Sequence, residues 1–173
     1  MSFRERSRDR SLVAVASASS KFGRYKPEPQ SESRILNVEA SPGVARLLDI
    51  WEKFLPKRRQ IGNAYDHISE LLTKERFTGP DVSVTSQLLV AYQPEPEFHA
   101  MAGFFLSSAI NLIPDERFAL DLTGYENQIC YLGYKTTKKL TIEGNVGHSP
   151  GIHLSGGVIR IFGDAQGDVS RDP

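Results

Sequence analysis

Cysteine is nearly absent from this chain: Cys130 is the only one in 173 residues. One thiol excludes an internal disulfide, and a four-ligand zinc site would have to be built mostly from histidine. Cys130 lies in the apolar run Ile129-Cys130-Tyr131-Leu132 and reads as a small buried hydrophobe. Net charge is also absent, because Lys plus Arg equal Asp plus Glu at 21 each. No global field therefore draws the chain to nucleic acid or to a membrane. No run reaches the ~18 apolar residues that a membrane helix needs. The N-terminus lacks the apolar core of a secretory signal. A cytoplasmic, reducing location and no membrane partner are expected. Hydrophobic residues make up 39% and charged residues 24%, which suits a folded domain with a real core.

Apolar residues are scarce in residues 1–34, where Leu12-Val13-Ala14-Val15 is the one cluster. Through Lys26 there are seven positive residues (Arg4, Arg6, Arg8, Arg10, Lys21, Arg24 and Lys26) and two negative (Glu5 and Asp9), a net of +5. Such a segment buries too little to offset its chain entropy, so a disordered basic tail is expected. Its sharper reading is an arm for RNA or an acidic partner. Acidic residues among the arginines argue against a mitochondrial presequence.

Two helices follow, read together as a helical hairpin over 35–80. Ser41 is a good N-cap and Pro42 suits the first helical position. Val44, Leu47, Leu48, Trp51, Phe54 and Leu55 keep helical spacing up to Pro56. The next cluster, Lys57-Arg58-Arg59, complements the helix C-terminus, with anion binding as the alternative. Ile61, Ala64, Tyr65, Ile68, Leu71 and Leu72 form a second stripe, with Gly62 weakening its first turn. His67 lies beside the stripe and reads as a surface residue. Thr78-Gly79-Pro80 reads as a turn.

From Asp81 to Pro173 the texture reads as β-rich and glycine-cornered. Val82, Val84 and Leu88 to Tyr92 read as a strand. Glu95 and Glu97 sit in a proline-bounded, solvated loop. Phe98 to Ile113 is ambiguous, with helix to Phe105 and strand over Ala109 to Ile113 as one reading. Three strand–glycine units follow: Phe118 to Gly124, Leu140 to Gly144 and Val158 to Gly163, with Ile129 to Leu132 as a further strand. The glycines recur at spacings of 20 and 19, the pattern of rungs stacking in a coiled sheet. A short stack must have its ends capped or paired; the two helices are natural caps, and dimerisation through the last rung is the other solution.

The run LTIEGNVGHSPGIHLSGGVIRIFGDAQGDV, from Leu140 to Val169, resembles the GXGXG domain. The resemblance rests on Gly144-Asn145-Val146-Gly147, Gly151, the Ser155-Gly156-Gly157 turn, the strand Val158 to Ile161 and Gly163-Asp164-Ala165-Gln166-Gly167. That domain is the right-handed β-helix found at the C-terminus of the large glutamate synthase subunit, and in a related component of formylmethanofuran dehydrogenase. The resemblance implies a scaffold with no accepted catalytic residue. The fold class expected is therefore α+β, an N-terminal helical hairpin packed on a short right-handed parallel β-helix-like region.

Chemistry is less well marked. Gly144 to Gly151 has backbone N–H groups to cradle a phosphate, but lacks the ending of a P-loop and a following helix. Asp164, Asp168 and Asp172 are spaced by four without EF-hand spacing. His148 and His153, with Ser149, Ser155 and Asp164, are the best available acid–base cluster, and also read as polar corner residues. No catalytic, cofactor-binding or metal residue and no cofactor is assigned. The expected function is a non-catalytic structural or assembly module, accessory to a larger oxidoreductase or amidotransferase-type complex. It would act through a protein partner or self-association at the end of the β-coil. The alternatives are a small enzyme or ligand-binding protein using the His148–His153 turn, and a nucleic-acid-associated protein using the basic arm. Of these partners, nucleic acid is the less expected.

Overall fold

A computed structural model of the chain describes residues 41–54, 63–126 and 128–166, all within one compact unit. The basic arm over 1–34, Leu55 to Arg59, Ile61, Gly62, Gly167, Asp168 and Asp172 lie outside the described residues. The fold is α+β, with four α-helices followed by a three-stranded parallel sheet among the described residues. No helix among the described residues is long and apolar enough to cross a membrane.

Helix α1 spans Pro42–Phe54 and starts as its sequence directs. The Ser41 hydroxyl accepts the Val44 N–H at 3.2 Å, and the Ser41 carbonyl accepts that of Ala45 at 3.0 Å. Helix α2 spans Ala64–Leu72 and buries Ala64, Ile68 and Leu72. His67 is half-buried against the Phe54 ring rather than free in solvent, with centroids 6.2 Å apart.

The strand expected over Val82 to Tyr92 is a helix. Helix α3 spans Gly79–Leu88 and continues as a 3-10 turn, Leu89–Tyr92. Its cause lies just upstream, where Thr78-Gly79-Pro80 is a helix start instead of a free turn. Thr78 is the N-cap in extended conformation, and the Asp81 carboxylate accepts its backbone N–H at 2.8 Å and its hydroxyl at 2.7 Å. This capping box overrides the β-branched Val82, Val84 and Thr85. Asp81 also accepts the Ser41 hydroxyl, so one carboxylate ties the first turns of α1 and α3 together. Burial raises the Asp81 pKa, but the bonds from Ser41 and Thr78 outweigh it and hold the carboxyl below its ordinary value.

Helix α4 spans Phe98–Leu112 without a break, so the strand expected at Ala109 to Ile113 is not there. Phe98 and all residues from Ala100 to Ile110 are buried. A helix covered on every side has no apolar stripe, which is why its sequence shows no helical period. Trp51 anchors the helical layer, with ring centroids 5.3 Å from Phe105, 5.7 Å from Phe98 and 6.1 Å from Tyr92. Helix α1 packs on α3, and α2 packs along α4.

The strands are β1 (Arg117–Asp121), β2 (Lys139–Glu143) and β3 (Val158–Phe162), ordered β1-β2-β3. Leu140 pairs with Ile159 and Ile142 with Ile161, in parallel register. Phe118 and Leu120 pair with Leu140 and Ile142 in the same way. Gly144 and Gly163 occupy equivalent places just past Glu143 and Phe162, as their spacing implied. Gly124 does not match Gly144. The register sets Leu122 opposite Gly144, where a Cβ would lie 2.7 Å from the Leu122 carbonyl carbon. The expected strand Ile129 to Leu132 reduces to one parallel bridge, Ile129 to Val146, and Val146 bridges on to Ala165.

Candidate binding surface

Three successive passes of the chain stack in parallel from β1 to β3. Between passes the chain turns through a corner that repeats residue for residue. Tyr131, Gly133 and Lys135 have φ of 58°, 79° and 53°; Ser149, Gly151 and His153 have 55°, 70° and 58°. The corners stack through Tyr131 N–H to His148 O at 2.9 Å, Gly151 N–H to Leu132 O at 2.8 Å and Lys135 N–H to Ile152 O at 3.1 Å. The sequence hides this repeat because Gly133 and Gly151 alone are glycine in a pattern that needs three left-handed residues.

This end of the stack is covered. The Ser107 hydroxyl of α4 accepts the Gly133 N–H at 2.8 Å and the Tyr134 N–H at 3.1 Å. The Cys130 N–H donates to His99 O at 3.0 Å, and a Cβ on Gly103 would fall 1.7 Å from the Cys130 carbonyl oxygen. Ser83 of α3 donates to Ala119 O on β1 at 2.8 Å. Helices α3 and α4 therefore cap the first pass, a role expected of α1 and α2. Aromatic rings complete the seam: Phe104 stacks on Tyr131 at 5.0 Å, Tyr65 lies 4.8 Å from Tyr134, and Lys135 sits over both tyrosines. Cys130 is buried, as its neighbours implied.

The far end differs. Among the described residues β3 pairs on one side only, with β2. Val158 is 45% and Phe162 66% exposed, and Ile159 and Ile161 are half-buried where the equivalent Leu140 and Ile142 are at most 1% exposed. An edge of this kind, apolar and unpaired, is a template for another chain.

The residues singled out for chemistry are not assembled. His148 and His153 are both exposed. The His153 ring stands perpendicular to Tyr134 at 5.4 Å, and the His148 carbonyl serves the corner stack. Among the described residues no hydrogen bond links either imidazole to Ser149, Ser155 or Asp164. The Asp164 N–H donates to the Asn145 side chain at 2.8 Å, a corner contact. Four N–H groups of the expected phosphate cradle are already used: Gly144 donates to Phe162 O, Val146 to Asp164 O, Gly147 to Ile129 O and Gly151 to Leu132 O. Glu95 and Glu97 are exposed, and Glu97 starts α4 in a left-handed conformation. No group of three or more His, Cys, Asp or Glu among the described residues could hold a metal ion.

The outer face of the sheet carries a pattern that the strands show singly but not together. The register sets Arg117, Lys139 and Val158 in one row, Ala119, Thr141 and Arg160 in the next, and Asp121, Glu143 and Phe162 in the third. A groove of about 410 Å³ opens at the basic end. Its signal in the sequence is the polar half of each alternating strand, which becomes a patch only through the register. Comparison with protein-family models, with curated proteins and with solved structures gives no match.

Proposed function

We propose that residues 117–166 form a short β-helix, right-handed as parallel crossovers nearly always are, that serves as an assembly module rather than a catalyst. The reading keeps the likeness to the GXGXG domain and its role as an accessory piece of a larger oxidoreductase or amidotransferase-type complex in a reducing, cytoplasmic setting. The observation that carries it is the unequal covering of the two ends. Helices α3 and α4 close the β1 end, while β3 presents exposed Val158 and Phe162 beside half-buried Ile159 and Ile161. Repeat stacks need a cap at both ends, and a partner chain fills that need as well as a helix does.

The test is light scattering on the full chain with a parallel pull-down, comparing wild type with Phe162→Lys and Ile161→Lys. A lysine on the edge opposes pairing. Wild type is expected to run above monomer mass or to retain a specific protein, and both variants to lose that behaviour. A monomeric wild type whose retained proteins are the same for both variants would end the reading.

A further inference from the structure

Arg117 and Lys139 face the same side of neighbouring strands in direct register, which brings two like charges to about 5 Å between backbones. Arg160 stands on the next strand, one diagonal step from Lys139, at about 7–8 Å. Like charges opposite each other destabilise a sheet unless something neutralises them. The ion pairs among the described residues, Arg46–Glu75, Lys53–Asp49, Lys74–Glu70 and Lys135–Asp66, include none of these three cations. On the same face Asp121 and Glu143 lie four residues along their strands from Arg117 and Lys139, and Glu143 lies one diagonal step from Arg160 without an ion pair to it. Asp121 is already engaged by the Thr123 hydroxyl and N–H.

The cations also frame a concavity. Arg117, Lys139 and Arg160 line the groove of about 410 Å³, together with Leu140, Thr141 and Val158. The short Thr141, between Lys139 and Glu143 on its strand and beside Ala119, leaves room above the sheet, and Val158 adds an apolar wall. The volume lies within the range of small-molecule sites. Two guanidinium forks and an ammonium suit a phosphate group, which accepts bidentate bonds from arginine and a point contact from lysine.

We propose that this groove binds a small molecule carrying a phosphate monoester, its phosphate held by Arg117, Lys139 and Arg160 and its organic part resting on Val158 and Thr141. The groove shares Val158 and Arg160 with β3, so ester binding is read by titration while light scattering reads assembly, and the two readings fail separately.

Isothermal titration with adenosine 5′-monophosphate, ribose 5-phosphate and inorganic phosphate tests it. Millimolar or tighter binding is expected for both esters, stronger than for inorganic phosphate and weakening as salt rises. Arg117→Gln, Lys139→Gln and Arg160→Gln should each weaken ester binding about tenfold, as loss of one charge-assisted bond implies. The three side chains are exposed and circular dichroism should be unchanged. Lys74→Gln, in the turn after α2, should bind like wild type. Absence of millimolar binding, or equal affinity in wild type and the three groove variants, overturns the proposal. So does a single-stranded RNA whose affinity for the groove climbs with each added phosphate, since that identifies a polyanion surface instead.

Discussion

Phe118 and Leu120 on β1 and Ile159 and Ile161 on β3 occupy equivalent inward positions two strands apart, yet the first pair is at most 5% exposed and the second is only partly buried. Alternation places both pairs on the inner face; what lies beyond the strand decides how deeply they are buried. Beyond β1 lie α3 and α4, with Ser83 and Ser107 meeting backbone groups of the coil. Beyond β3 no further element is described. The contrast teaches that in a parallel stack the element lying against each end decides how deeply that end's inward side chains are buried.

Matched glycine substitutions should break this contrast most sharply. Gly103→Ala drives a methyl to 1.7 Å from the Cys130 carbonyl oxygen, with backbone on both sides. The expected loss is about 3 kcal/mol, at the upper end of overpacking costs. Gly156→Ala, at a turn after the second corner, meets nothing within 4 Å but holds φ at +90°. Conformational strain alone should cost about 1–2 kcal/mol. Urea denaturation of both variants checks the order, and equal losses would remove the claim that α4 fits tightly on the first pass.

The core side chains sharpen the same point. Leu140→Ala empties a fully buried site between β1 and β3 and should cost about 2–5 kcal/mol. Ile159→Ala, at the register partner, should cost about half that, because its side chain is only partly buried. If the two variants prove equally unstable to urea, β3 is covered in solution, and the dependence of that result on protein concentration shows whether a second copy does the covering.

Asp81 offers a smaller and pH-dependent probe of the covered side. Its carboxylate accepts bonds from Thr78 and Ser41 and is held below its ordinary pKa. A group depressed in the folded state stabilises it above the unfolded value, about 3.9, and that contribution is lost as pH falls through the lower folded value. Asp81→Ala should therefore cost about 1–2 kcal/mol at neutral pH, and the wild-type and variant denaturation midpoints should converge as pH drops below about 4. A gap that stays constant with pH would mean that packing against Gly43, not charge, accounts for the residue.

These elements are not equally legible in the sequence. The stripes of α1 and α2 and the alternation of β2 and β3 follow from one-sided burial, which leaves a period in the residues. Helix α4 is apolar on every face, so its residues carry no period. Helix α3 contains Val82, Val84 and Thr85, whose β-branching argues for a strand, while the Thr78–Asp81 box that decides the matter spans only four residues. The repeated corner is hidden because Tyr131, Lys135, Ser149 and His153 take left-handed backbone without being glycine. Hydrogen bonds between adjacent passes hold the corners there. The basic groove is a property of register: Arg117, Lys139 and Arg160 are far apart in the chain and meet only when the three strands align.

The smallest effect expected is at the exposed end itself. Phe162 is 66% exposed and lies in the outer row beside Glu143. Its replacement by lysine removes little buried surface, so the stability of an isolated chain should change by less than about 0.5 kcal/mol. The new charge would sit opposite Glu143, a favourable cross-strand neighbour. Thermal melts at low protein concentration should then be superimposable for wild type and Phe162→Lys. At higher concentration, where mass action stabilises any assembled form, the wild-type melt should move upward while that of the variant stays in place. A variant that melts far lower even when dilute would show that Phe162 supports its own chain, and the uncovered end would then be a piece of the core rather than a place for a partner.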